Sequence, residues 1–342
     1  MTRPALPVLI VTGCLGAGKT TLVNHLLRAG HGLRLAVIVN EFGAAGIDGE
    51  LIDSGEEELF EMNNGCICCS VRGDLIRTLH GLLPRLDGFD GVVVETTGLA
   101  DPGPVAQTFL IDDVLRARMM LTSIATVVDA RHAPGQISAE ATPGPEARAQ
   151  IAFADQIVLN KTDLVAPADL EQVEALLSGI NPQAELIRAE RGKVDPQRLL
   201  RRGGFDLERI EELLQSMAAP TECGPDCGHD HHHHHHHDHH HHDDIGTVLV
   251  ESAAPMDAGL ISDWLAAHLA QNGRDILRVK GIVHAKDEPR KLVFHAVHML
   301  LEGDFLGPWP EGEAPLSRIV FIGRHLDAAA LQTAFDACAA AA

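Results

Sequence analysis

Largely apolar runs of three to five residues punctuate the first half of the chain, each ending on small or polar residues. Val8 to Val11, Leu35 to Val39, Val92 to Val94, Ile124 to Val128 and Gln156 to Leu159 have no polar alternation, so each predicts a strand covered on both faces, as in a parallel sheet. Between them the spacing changes to a helical one: Thr21 to Leu27 and Asp74 to Leu86 carry leucines three and four apart. Leu59 to Met62 and Ala184 to Arg188 add two shorter strands, and Leu207 to Met217 a further helix. Ala133 to Pro145, rich in Pro, Gly and Ala, reads as a surface loop.

The pattern changes after Asp244. Thr247 to Val250, Ile276 to Val283, Leu292 to Met299 and Ile319 to Ile322 predict strands. Leu260 to Leu269 predicts a helix with Leu260, Ile261, Trp264, Leu265 and Leu269 on one face, and an alanine-rich helix starts at Ala328. The expected fold is α/β, with a mostly parallel sheet in residues 1–217, a linker over 218–245 and a smaller α/β domain over 246–342.

Composition supports a packed, soluble class. The 342 residues are 45% hydrophobic and 22% charged, enough to bury a large core. The net charge of −21 argues against nucleic acid as a partner. With no membrane-length apolar run and strand pattern beginning almost at once, the expectation is a cytoplasmic protein without a membrane partner. Seven cysteines, three of them in Cys66-Ile67-Cys68-Cys69, suit reduced metal ligands better than a disulfide frame.

The first chemistry lies between the first strand and helix. Gly13-Cys14-Leu15-Gly16-Ala17-Gly18-Lys19-Thr20 fits G-x-x-x-x-G-K-[ST] in its required strand-to-helix context. Its backbone amides and the helix N-terminus, Thr21 included, are suited to phosphate oxygens. Lys19 would reach the β- and γ-phosphates, and Thr20 would offer its hydroxyl to Mg²⁺. Glu95 ends an apolar strand and precedes Gly98, an arrangement suited to ordering Mg²⁺ and sensing the terminal phosphate. Asn160-Lys161-Thr162-Asp163 follows another strand. Its carboxylate, Asp163, can accept from both N1–H and the exocyclic amine of guanine, which adenine cannot offer. GTP is therefore the expected nucleotide, and N-K-T-D weighs against a small-molecule kinase.

Cys66, Cys68 and Cys69 can surround one ion with three thiolates, leaving a position for water, Glu41 or a group from another protein. Glu41 and Asp48 follow the second strand, where either is a ligand or a solvated loop acid. Cys223, Cys227 and twelve of the 21 histidines crowd the linker up to His242. Such a tract cannot bury a core, and its imidazoles bind Zn²⁺, Ni²⁺, Co²⁺ or Cu²⁺ with little choice, which suits an ion reservoir.

Taken in order, G-C-L-G-A-G-K-T-T, V-N-E-F-G, N-G-C-I-C-C, V-E-T-T-G-L-A-D-P and L-N-K-T-D resemble the CobW group of metallochaperone GTPases, relatives of HypB and UreG. The resemblance extends over the whole chain. It implies GTP- and Mg²⁺-dependent loading of a divalent metal on Cys66, Cys68 and Cys69, with delivery to a client metalloprotein upon hydrolysis. Zinc is the expected metal and cobalt for cobalamin the alternative; a metal buffer or sensor without directed transfer is the other reading. A nucleotide- or metal-dependent dimer stays open. The absence of an evident arginine finger or catalytic glutamine predicts slow unaided hydrolysis. Cys14 stands where this group usually has phenylalanine, which places a further thiol near the nucleotide. His284, His295 and His298 are expected on strands of the second domain, without a role.

Overall fold

The computed structural model describes residues 5–28, 32–40, 59–62, 70–98, 102–138, 144–200, 245–297, 299–310, 312 and 314–340. Seven parallel strands form the first sheet: β1 (Leu6–Thr12), β2 (Leu35–Asn40), β3 (Leu59–Met62), β4 (Gly91–Thr96), β5 (Met119–Asp129), β6 (Gln156–Asn160) and β7 (Glu185–Arg188). Their spatial order is β3-β2-β4-β1-β5-β6-β7, so β1 lies between two strands that follow it in sequence by long crossovers. Ligands of open α/β sheets bind beyond the carboxyl ends of the strands where the order reverses. In this sheet those ends are Thr12, Thr96, Asp129 and Asn160.

Helices cover both faces: α1 (Lys19–Arg28), α2 (Ser70–Leu82), α3 (Pro102–Ile111), α4 (Asp113–Arg118), α5 (Ala133–Ile137), α6 (Gly144–Phe153), α7 (Pro167–Ile180) and α8 (Pro196–Leu200). Burial on both faces explains the unbroken apolar strands: in β1, Leu9 and Val11 pack with α1 residues Leu22 and Leu26, whereas Val8 and Ile10 pack with Phe109 and Phe153. Within the loop expected over 133–145, Ala133–Ile137 form α5 and Gly144 and Pro145 begin α6. Proline in the first turn loses no helical hydrogen bond, so Pro134 and Pro145 begin α5 and α6 rather than breaking them.

The second sheet is antiparallel, in the order β11-β10-β9-β12-β8, built from β8 (Ile245–Ser252), β9 (Ile276–His284), β10 (Arg290–Val297), β11 (Leu300–Pro308) and β12 (Ser317–Arg324). Strand alternation gives it two buried faces. Ile319 and Phe321 pack under α9 (Ala258–Asn272) and α10 (Ala328–Asp336), while Val320 and Ile322 join the core that contains Phe153 and Phe109 of the first unit. Of the apolar face expected on α9, Ile261, Leu265 and Leu269 are buried, but Leu260 is exposed beside the Asp257 cap. The Leu292 strand ends at Val297, before Met299, and β11 was not anticipated.

A buried ionic cluster joins the two units. Arg278 of β9, fully buried, donates to the carboxylate of Asp155 and, at 2.6 Å, to the carbonyl of Phe153. Lys280 reaches the same carboxylate at 3.2 Å, and Asp155 also accepts from the amide of Ile124 at 3.0 Å. His295 of β10 meets Arg278 at 3.0 Å, and its burial together with the two cations pushes its pKa well below the ordinary value. No described helix is long and apolar enough to cross a membrane.

Candidate nucleotide site

The stretch Gly13 to Thr20 follows the carboxyl end of β1, where Val11 is in register with Glu95 of β4 and Thr12 with Thr126 of β5. Lys19 is buried, and its ammonium donates to the carbonyls of Gly13 at 2.9 Å and Cys14 at 3.2 Å. Ala17 is buried beneath the loop, whereas Leu15, Gly16 and Thr21 are exposed. Gly18 has φ +104°, and a Cβ there would fall 2.4 Å from the side-chain nitrogen of Asn160. That nitrogen donates to the carbonyl of Ala17 at 3.0 Å, while the other end of the same amide accepts from the backbone of Gly192 at 2.9 Å. Gly18→Ala should therefore displace a buried double anchor as well as strain the backbone. We expect a loss of about 1–3 kcal/mol in stability, read as a lowered thermal midpoint, together with weakened nucleotide binding.

Thr20 donates its hydroxyl to the carboxylate of Glu95 at 3.0 Å. Glu95 is 4% exposed. A hydroxyl beside a buried carboxylate is an oxygen-only donor pair, the chemistry that a hard divalent cation such as Mg²⁺ prefers. Gly98 brings the segment after Glu95 onto the phosphate loop: a Cβ on Gly98 would lie 2.6 Å from the amide nitrogen of Leu15. The Gly98 carbonyl is held at 3.2 Å by Gln150 of α6, a residue that carries no motif and that sequence reasoning missed.

On the opposite side, Asn160 ends β6 and is buried, Lys161 takes a left-handed conformation, and Asp163 is exposed on the following turn. Thr162 donates to the carbonyl of Ala189, so the segment Ala189–Gly192 after β7 sits beside the N-K-T-D turn. That segment was also missed. The end of β7, the next strand after N-K-T-D in the chain, was the available signal.

Cys14 faces away from the phosphate loop's open side and packs near Thr126, Gln136 and Ile151 beside a cavity of about 10 Å³. Burial pushes its thiol pKa up, against the opposing pull of Lys19. It is a packing thiol, and the described residues hold no group of three or more His, Cys, Asp or Glu side chains that could hold a metal ion. Thiolates are the nucleophiles, so alkylation of the native protein should leave Cys14 and the equally buried Cys338 unmodified, as peptide mass mapping would show. Glu41, Asp48, Cys66, Cys68, Cys69, the helix expected over 207–217, Cys223, Cys227, the histidine tract and His298 lie outside the described residues.

Residues 7–188 match the family model described as CobW/HypB/UreG, nucleotide-binding domain, and residues 245–339 match the cobalamin synthesis protein cobW C-terminal domain. The zinc chaperone YjiA of Escherichia coli (strain K12) is 35% identical over 334 residues, covering 96% of this chain and 98% of that one. The zinc-regulated GTPase metalloprotein activator 1 of Schizosaccharomyces pombe is 40% identical over 200 residues, covering 57% of this chain and 48% of its own. Among solved structures, the Zn(II)-bound YjiA GTPase from E. coli matches with a TM-score of 0.70 at 28% identity, over 99% of this chain and 100% of the other.

Proposed function

The chain belongs to the CobW/HypB/UreG family, and on that premise we propose that it is a GTP-hydrolysing metallochaperone that loads zinc on Cys66, Cys68 and Cys69 and delivers it to a client metalloprotein. The observation that carries the nucleotide half is the direct hydrogen bonding of the phosphate loop to both flanking elements. Thr20 is tied to Glu95, and the carbonyls of Gly16 and Ala17 are tied to Lys161 and Asn160. These ties join a phosphate end and a base end in one frame. The division into a nucleotide domain over 1–217, a histidine-rich linker over 218–245 and a C-terminal domain over 246–342 is part of the same reading.

In this reading Gly13 to Thr21 cradle the phosphates, Asp163 reads guanine, and the stem of Lys161 lies on the base. Thr20 and Glu95 would hold Mg²⁺, which when bound neutralises charge on the β- and γ-phosphate oxygens. Gly98 supplies a backbone group close to the terminal phosphate. Glu41 stands as a further ligand candidate for the carried metal.

Support for coupling comes from chain order and sheet register. Glu95 is aligned with Val39, and Val39 with Glu61 of β3, the strand that leads into the cysteine stretch; α2 begins at Ser70, immediately after Cys69. A shift at the end of β4 would reach the β3 flank of the thiols through one intervening strand. Linkage then requires zinc and GTP to tighten one another equally.

The test is a set of zinc titrations in GDP and in a non-hydrolysable GTP analogue, on the parent and on Cys68→Ala. The parent should differ between nucleotides by roughly 5- to 150-fold, and Cys68→Ala should show no difference while binding GTP normally. Identical zinc affinities for the parent in both nucleotides would leave the buffer reading instead. Cobalt titrated in parallel distinguishes the cobalamin alternative.

A further inference from the structure

β5 and β6 end side by side, with Asp129 in register with Asn160. Asp129 belongs to no nucleotide motif, yet its carboxylate is 4% exposed and fully engaged. One oxygen accepts from the amides of Arg131 at 2.9 Å and His132 at 3.3 Å, which fixes the turn after β5. The other takes the ammonium of Lys161 at 2.6 Å and the ring of His132 at 2.9 Å. The same ammonium donates to the carbonyl of Gly16 at 2.8 Å. Three separate segments, the end of β5, the base loop and the phosphate loop, meet at one nitrogen.

We propose that Asp129 is a positioning residue for guanine-nucleotide binding: it pins Lys161 against the phosphate loop, so that base loop and phosphate loop are held in fixed relation before ligand arrives. The inference rests on the guanine reading above. A lysine carries four rotatable carbons and about 2 kcal/mol of side-chain entropy, and Lys161 also sits at φ +61°, uncommon for a residue with a side chain. Left without a buried anion, its ammonium would turn to water and leave Gly16 without its donor. Burial opposes ionisation of Asp129, but the hydrogen bonds from Lys161 and His132 outweigh it and keep the carboxyl below its usual range. The anchor is charged at neutral pH. Pre-ordering of this kind raises affinity by lowering the ordering cost at binding.

Asp129→Asn tests the assignment because asparagine keeps an acceptor for the Arg131 and His132 amides but puts an uncharged NH2 donor where the oxygen accepted from Lys161 and the His132 ring. Titration with a fluorescent GDP should show affinity lowered by about tenfold, the loss of one charge-assisted hydrogen bond. Lys161→Met should lose at least as much, and the double variant should be no weaker than Lys161→Met, since Asp129 acts through that lysine. Additive losses would overturn the proposal, as would an Asp129→Asn protein that binds like the parent. If Asp129→Asn alone does not fold, the double variant against Lys161→Met still decides, with equal affinities supporting the proposal and a further loss overturning it. A parent that prefers adenine to guanine nucleotides would instead sink the guanine reading itself, an outcome distinct from either.

Discussion

Asp163→Asn should lower GTP affinity by about a thousandfold and transfer preference to xanthine nucleotides. In the proposed guanine reading the carboxylate would accept two hydrogen bonds, from N1–H and from the exocyclic amine of guanine. Each such bond to a charged group is worth about 1.5–3 kcal/mol, and about 1.4 kcal/mol is tenfold in affinity. An asparagine amide can still accept from N1–H, but it presents a donor where the guanine amine also donates. Xanthine carries a carbonyl at that place and restores the match. Asp163 is exposed on a turn, so the substitution should leave the fold intact and the loss should fall on binding alone. Competition of GTP and XTP against a fluorescent guanine nucleotide measures it. An Asn variant that kept its preference for GTP would remove Asp163 from base recognition.

The second large effect is on stability. Asp155→Ala should destabilise the protein by about 3–5 kcal/mol, the range for breaking a buried pair by removing one partner. Arg278 and Lys280 are both buried and would lose the carboxylate that they share. The accompanying fall in thermal midpoint should be on the order of 10 °C for a unit of this size. Adding Arg278→Met should recover part of it, because a methionine side chain needs no counter-ion. The damage should reach the nucleotide site too, since Asp155 immediately precedes β6, the strand that ends on Asn160.

The same carboxylate sets a pH dependence. Burial alone would raise its pKa, but Arg278 and Lys280 hold it far below the ordinary carboxylate range. A group depressed in the folded state contributes stability that is fully present above its unfolded value, about 3.9. That contribution falls away as pH drops below this value towards the folded one. Asp155→Ala should therefore flatten the acid limb of the stability curve below about pH 4, as urea titrations across pH would show.

The parallel sheet was legible because its strands are covered on both faces, which writes unbroken apolar runs such as Val8 to Val11 into the chain. The turn from Gly13 to Gly18 was legible for a different reason: strand, glycines and helix are contiguous, so their spacing fixes their geometry. Composition misled between 133 and 145. Proline and glycine there signal a loop or the first turn of a helix equally well, and the choice fell to the apolar partners Ile137, Ala147 and Ile151, which α5 and α6 bury.

By itself the sequence determined which residues could do chemistry: Lys19, Thr20, Glu95 and Asp163 belong to motifs whose members are a few residues apart, and covalent proximity enforces local geometry. Only the tertiary structure decided who holds them in place. Gln150 reaches Gly98 across 52 residues, Asp129 reaches Lys161 across 32, and Arg278 finds Asp155 across 123. Such contacts leave no periodicity along the chain, because strand order in the sheet, not sequence distance, brings their ends together. Cys14 shows the same division: its identity can be read from the chain, but its burial beneath the loop, and hence its raised pKa, follows from the packing of β5, α5 and α6 around it.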